Sequence, residues 1–281
     1  MFFRFKTLAF FAFLMFAGVS FVTAQENSAK TAQDKADKGK KDKKQNNKKQ
    51  SGDLDKNATA EQVAESTIVI YGGLGGRASL NQIRKTTIER GKISVVNTEG
   101  KTEQANYERV ILRADSLDKE RIRFNQEFPS AKFALIYSDD KIFGVFNDSV
   151  FTPREDASKA FQNQLWHGME ALLRYKENGS ILELAGREKM MNVDLYILNV
   201  TDKQQRKTRF YISSKTFRVM MLEYTEDNVK FRRKFYDYNY AQGTLVPYHT
   251  VLWADDKQVE EIRIQTITFG QKVEENVFQA S

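Results

Sequence analysis

From residue 181 to residue 269 the chain alternates apolar-rich stretches with connections too short to hold a helix, and this spacing constrains the fold most strongly. The stretches run over 181–184, 193–201, 208–212, 217–224, 229–238, 245–253 and 259–269, and the links 202–207, 213–216, 226–228 and 255–257 are short and polar. A parallel return would need a crossover of a dozen or more residues, so neighbouring strands must be antiparallel. One long meander follows. Sheets approaching ten strands curl or partly close, and a partly closed sheet encloses a cavity.

The preceding third of the chain reads the same way. In Arg121-Ile122-Arg123-Phe124 the apolar side chains share one face and the arginines the other. Residues 132–138 alternate around Phe133, Leu135 and Tyr137; Ser138-Asp139-Asp140-Lys141 is turn chemistry, and 142–147 is the return strand. Between the two strand runs lies a helical pattern over 152–178. Thr152 is placed to cap it, Pro153 suits the first helical position, Glu155 completes a capping box, and Asn178-Gly179 ends it. Phe161, Leu165, Met169 and Leu172 give this single helix one apolar face. Two shorter helices are expected at 58–71, around Val63, Ile68 and Ile70, and at 79–89, around Leu80, Ile83 and Ile88. The fold class is α+β: a curved antiparallel sheet forming an open half-barrel, with short N-terminal helices and one long mid-chain helix over the concave face.

The N-terminus sets the compartment. Arg4 and Lys6 precede an apolar run from Leu8 to Val22 and the small residues Thr23 and Ala24, which reads as a secretory signal peptide over 1–24 and an exported, periplasmic protein. Residues 25–57 are rich in Lys, Asp, Gln and Asn and nearly free of apolar side chains, as a disordered linker would be. The net charge of +7 belongs almost wholly to these first 57 residues. A lysine-rich tail can meet an anionic membrane or cell-wall surface, while nucleic acid is no partner for an exported chain. The domain proper is 58–281.

Catalytic material is sparse. There are no cysteines and two histidines, His167 and His249, so thiolate chemistry, lipid modification of an N-terminal cysteine and multi-histidine metal centres are disfavoured. No Gly-x-Ser-x-Gly elbow occurs. The acidic pairs Asp139-Asp140, Asp255-Asp256 and Glu260-Glu261 adjoin turns, and Arg232-Arg233-Lys234 fits a charged outer face. A glycine-rich run at 73–78 fits a dinucleotide fingerprint only if Thr67 to Tyr71 is a strand, and no second alternating strand and helix unit follows.

In the C-terminal half, Gly186-Arg187-Glu188, then Val193 to Val200, Tyr211-Ile212-Ser213, and Phe235-Tyr236-Asp237-Tyr238 followed by Gly243 and Pro247 stand in a fixed order. This order resembles the outer-membrane lipoprotein-sorting (LolA-like) superfamily of exported bacterial proteins. Asn192 and Ser213 depart from its usual Gly and Asp. The resemblance implies a half-barrel with helices over its concave face, holding an acyl chain or apolar ligand without catalysis, cofactor or metal. On that reading a lipid or lipidated protein is the partner, and alternation nominates Ile122, Phe124, Phe133, Leu135, Phe161, Leu165, Leu195, Ile197, Phe210 and Ile212 as lining the cavity. The alternatives are a protein-binding envelope scaffold with a filled interior and, more remotely, an exported hydrolase.

Overall fold

The computed structural model describes residues 58–97, 99–147 and 149–279; the expected signal peptide and linker lie outside them. In chain order the elements are α1 (Ala60–Gly72), a 3-10 turn (Gly73–Gly75), α2 (Gly76–Ile83), β1 (Thr86–Val96), β2 (Thr102–Leu112), β3 (Arg121–Glu127), β4 (Lys132–Ser138), β5 (Lys141–Phe146) and β6 (Ser149–Phe151). Two helices, α3 (Glu155–Trp166) and α4 (Glu170–Leu173), interrupt the strands. The second run is β7 (Ile181–Met190), β8 (Val193–Thr201), β9 (Lys207–Ser213), β10 (Val219–Glu226), β11 (Val229–Ala241), β12 (Thr244–Ala254) and β13 (Lys257–Phe269), before a C-terminal 3-10 turn (Glu275–Phe278).

All thirteen strands form one open, curved antiparallel sheet in the order β6-β5-β4-β3-β2-β1-β13-β12-β11-β10-β9-β8-β7. Two meanders are joined by the β1–β13 pair, and the strands flanking the helical insertion, β6 and β7, are the two outer edges. The segment 152–180 therefore leaves the sheet at one edge and returns at the other, so its helices must cross a face of the sheet. That face carries the main core, in which Phe161, Leu165, Leu172 and Leu173 of the insertion meet Phe124, Leu135, Phe210, Ile212 and Leu222 of the sheet.

Hairpin chemistry explains the regular return of the chain. Asp139-Asp140, Met191-Asn192, Asp227-Asn228, Gln242-Gly243 and Asp255-Asp256 each have two consecutive positive φ angles between paired strand ends, the geometry of a two-residue type I′ turn. Two acidic pairs considered for chemistry are thus turn residues. Gly91 sits at a bulge in the central β1–β13 pair; a Cβ there would approach the Arg263 carbonyl oxygen at 2.1 Å.

α1 is anchored at both ends. Thr59 and Gln62 form a capping box, with Gln62 N–H donating to Thr59 Oγ1 at 3.2 Å and Thr59 N–H to Gln62 Oε1 at 2.8 Å. Val63, Ala64, Thr67, Ile68 and Tyr71 form its fully buried stripe, and the Tyr71 hydroxyl meets the Tyr238 hydroxyl at 2.8 Å. Because 67–71 is helical, the glycine-rich run joins two helices, and the dinucleotide fingerprint loses the strand it requires.

Several expectations are corrected. The insertion is two helices broken at His167-Gly168, not one long helix. Arg154, not Thr152, is the N-cap of α3, without a side-chain cap bond, so the capping box expected there is absent. The expected helix over 79–89 stops at Ile83, and Thr86 already begins β1. The sheet has thirteen strands where about ten were read, β2 being wholly new. Among the described residues no helix is long and apolar enough to cross a membrane.

Candidate functional site

Two cavities lie against α3. The first, at the β5–β6 edge, has a volume of about 250 Å³ and is walled mainly by Phe133, Leu135, Phe146, Phe151, Pro153 and Ala157. Strand pairing builds it: Phe133 faces Phe146, Leu135 faces Gly144, and Gly144 faces Phe151. Gly144 has a specific task here, since a Cβ would stand 2.1 Å from the Phe151 ring, which lies on the bare glycine backbone. Phe128 stacks on Phe133 with centroids 5.7 Å apart and steadies the neighbouring wall.

The second cavity, of about 180 Å³, lies between α3, the ends of α1 and α2, and the sheet centre. Ile122, Phe161, Leu165 and Ile262 supply apolar wall, but charged side chains share it. Arg84 and Arg113 both reach Glu170, at 2.6 and 2.9 Å. Glu120 is held by Arg174, which also donates to the Ala114 carbonyl. Arg109 faces Glu89 at 3.6 Å and Arg233 faces Glu260 at 3.1 Å. Arg109, Arg174 and Arg233 therefore each have a carboxylate of their own, whereas Arg84 and Arg113 share one.

Burial divides the two central carboxylates. Glu170 would be raised by desolvation, yet Arg113 and Arg84 outweigh it and hold its pKa down at about 2. Burial dominates at Glu120 despite Arg113, aided by repulsion from Glu170, and lifts its pKa to about 7. Arg113 keeps Nε and Nη1, and Arg84 its Nε, without a hydrogen-bond partner among the described residues. A buried donor without a partner costs about 1–3 kcal/mol, more when charged.

The ten nominated residues divide by place. Phe133 and Leu135 line the edge cavity; Ile122, Phe161 and Leu165 line the central one. Phe124 lines neither and stacks on Phe161, centroids 6.3 Å apart and planes within 8°. Phe210 and Ile212 are fully buried in the main core away from both cavities. Leu195 and Ile197 need correction: in the β8–β9 register Tyr196 faces Ile212 and Leu198 faces Phe210, so Leu195 and Ile197 point to the opposite face. They form a separate cluster there with Tyr211 and Met221. Arg233, read as outer-face charge, points inward; Arg232 beside it bonds Glu223 at 2.9 Å.

The histidines have structural partners. His167 Nδ1 meets Thr208 Oγ1 at 2.7 Å, its ring stacks on Tyr224 at 4.1 Å, and burial lowers its pKa to about 4, leaving it neutral. His249 faces Glu261 at 3.0 Å and stacks on Tyr236. Among the described residues no cluster of three His, Cys, Asp or Glu is placed to hold a metal. The sequence reading missed Arg84, Arg113, Glu120 and Glu170. They come from three stretches of chain, the end of α2, the β2–β3 connection that holds both Arg113 and Glu120, and the start of α4, and no motif links them. Phe146 and Phe151 were also missed, although the strand expected over 142–147 is present one residue earlier as β5.

No protein-family model and no curated protein matches the sequence. Solved structures do match in fold. A LolA superfamily protein from Nitrosomonas europaea is similar with a TM-score of 0.55 at 13% identity, covering 79% of this chain and 98% of that one. A DUF1329 family protein from Desulfovibrio piger is similar with a TM-score of 0.54 at 11% identity, covering 79% of this chain and 97% of that one. The open curved sheet with its helices is thus the fold of LolA superfamily structures, as the sequence motifs implied.

Proposed function

We propose that the protein is an exported, periplasmic, non-enzymatic carrier or sensor that holds the acyl chain of a lipid or lipidated protein in the apolar edge cavity. The observation that carries this reading is the cavity itself: about 250 Å³ walled by four sheet side chains, Phe133, Leu135, Phe146 and Phe151, and by the start of the helical insertion. Affinity comes from burying methylenes at about 0.8 kcal/mol each, so one long chain supplies useful binding without a dense polar site. The LolA-like fold and sequence motifs support the same conclusion.

A protein-binding scaffold is the second reading, and one observation favours it: around Phe210, Ile212 and Leu222 the interior is filled by the protein's own side chains. Native mass spectrometry of the full chain purified from membrane-containing cells, followed by solvent extraction, separates the two. A stoichiometric acylated species is the expected result. An empty protein that also fails to bind a fluorescent fatty acid would move the assignment to the scaffold.

A further inference from the structure

The charged cavity is a poor resting place for a purely hydrocarbon ligand. Among the groups that face it, Arg84 and Arg113 share the single carboxylate of Glu170, while every neighbouring arginine has a carboxylate to itself. Among the described residues around the cavity, five guanidinium groups therefore meet four carboxylates. Arg113 is 7% exposed and lines the cavity with Nε and Nη1 unpartnered; Arg84 Nε is unpartnered beside it. Buried charge without a counter-charge is strongly unfavourable, and two arginines with free donors form a fork suited to a carboxylate or phosphate.

The position of this fork relative to the edge cavity matters. Ala157 lines the edge cavity and Phe161, four residues further along α3, lines the central one, a rise of about 6 Å. Phe161 stacks on Phe124, whose ring also carries the Arg109 guanidinium at 4.6 Å.

We infer that the central cavity binds the anionic head of a single amphiphile, a carboxylate or phosphate received by Arg84 and Arg113, with its hydrocarbon chain passing the Phe124–Phe161 pair into the edge cavity. This rests on the acyl-carrier reading and names the ligand class: a fatty acid or a lipid phosphate monoester, not a neutral lipid. Glu170 orients both arginines and leaves their remaining donors for the head.

The test uses delipidated full-length protein and four probes in parallel titrations: palmitate, palmitoyl lysophosphatidic acid, the chain-matched neutral hexadecanol, and inorganic phosphate. Palmitate or the lysophospholipid should bind at least tenfold more tightly than hexadecanol, and whichever binds better identifies the head. Arg113→Gln should erase that difference, and Arg113→Lys should retain part of it. If Arg113→Gln fails to fold, the wild-type comparison still decides. Equal affinity for palmitate, lysophosphatidic acid and hexadecanol would overturn the anionic-head assignment and leave the carrier reading standing. Tight binding of inorganic phosphate with no gain from a chain would assign the fork to a free anion and overturn the amphiphile. Failure of every chain-bearing probe to bind would overturn the carrier reading itself.

Discussion

The two cavities share a helix and lie one turn apart along it, yet their walls have different origins. The edge cavity is lined mainly by apolar side chains at strand positions that alternation dictates, Phe133 and Leu135 on β4 with Phe146 on β5. The central cavity takes its charges mainly from the ends of elements: Arg84 after α2, Arg113 after β2, Glu120 before β3, Glu170 opening α4. Side chains inside a strand are committed to a face by the pleat, whereas those just beyond an element end are free to converge. On the proposed carrier reading, retention belongs to the first set and the charged fork to the second.

Removing Glu170 should break the central region with the largest effect. Glu170→Ala leaves Arg84 and Arg113 buried without their shared carboxylate, and a loss of about 3–5 kcal/mol is expected, read as a drop in denaturant midpoint. A change below about 1 kcal/mol would mean that these charges are solvated. At the edge cavity the effect should fall on binding. Phe133→Asp places a charge on a half-buried wall, and fatty-acid retention should weaken tenfold or more, about 1.4 kcal/mol, with the circular dichroism still folded. Loss of the fold instead would make Phe133 core. Charged replacements at Leu165 or Phe124, which are more deeply buried, would not make that distinction.

A smaller change sharpens the contrast from the backbone side. Gly144→Ala must displace Phe151 from the strand it covers; overpacking should cost about 1–3 kcal/mol and reduce affinity for long chains more than for short ones. Equal weakening of all chain lengths would mean that Phe151 does not shape the cavity.

The central carboxylates also carry a pH dependence. Glu120 is raised to about 7 by burial, so the folded state holds its proton more tightly than the unfolded chain, and its contribution is present below about 4.5 and lost as pH rises through 7. Glu170, held at about 2 against the pull of burial, behaves oppositely: its contribution is present above about 4.5 and lost as pH falls toward 2. Glu120→Gln should flatten the decline in stability between pH 4.5 and 7 and leave the acid limb unchanged. An unaltered profile in that window would place Glu120 in a wetter environment than the structure shows.

How much of this could be read from the residues depends on how local the cause is. β8 runs over the residues expected, 193–201, because its continuous apolar run and the Met191-Asn192 turn are both local. β2 was missed because its inward side chains, Ala105 and Tyr107, give way to outward-buried Val110, a switch of face with no clean period. Val110 is buried on that outer face in a cluster with Ala134, Ile136, Val145 and Phe278 of the C-terminal turn, residues far along the chain. β1 was not read as a strand for a related reason: its first residues fall in the helix expected over 79–89, and the Arg90-Gly91 bulge interrupts alternation. Leu195 and Ile197 were assigned to the wrong face because β8 is buried on both, so composition could not fix its parity and only pairing with β9 does. Arg84, Arg113, Glu120 and Glu170 had no local signal, since tertiary convergence alone brings them together.

The most direct test of the account is where a bound chain lies. The full-length protein should be loaded with a fatty acid carrying a diazirine at its terminal carbon, irradiated, and mapped by peptide mass spectrometry. The account predicts cross-links at Phe133, Leu135, Phe146 and Phe151 in the edge cavity. Cross-links concentrated at Leu195 and Ile197 on the opposite face, or no protein adduct at all, would contradict it.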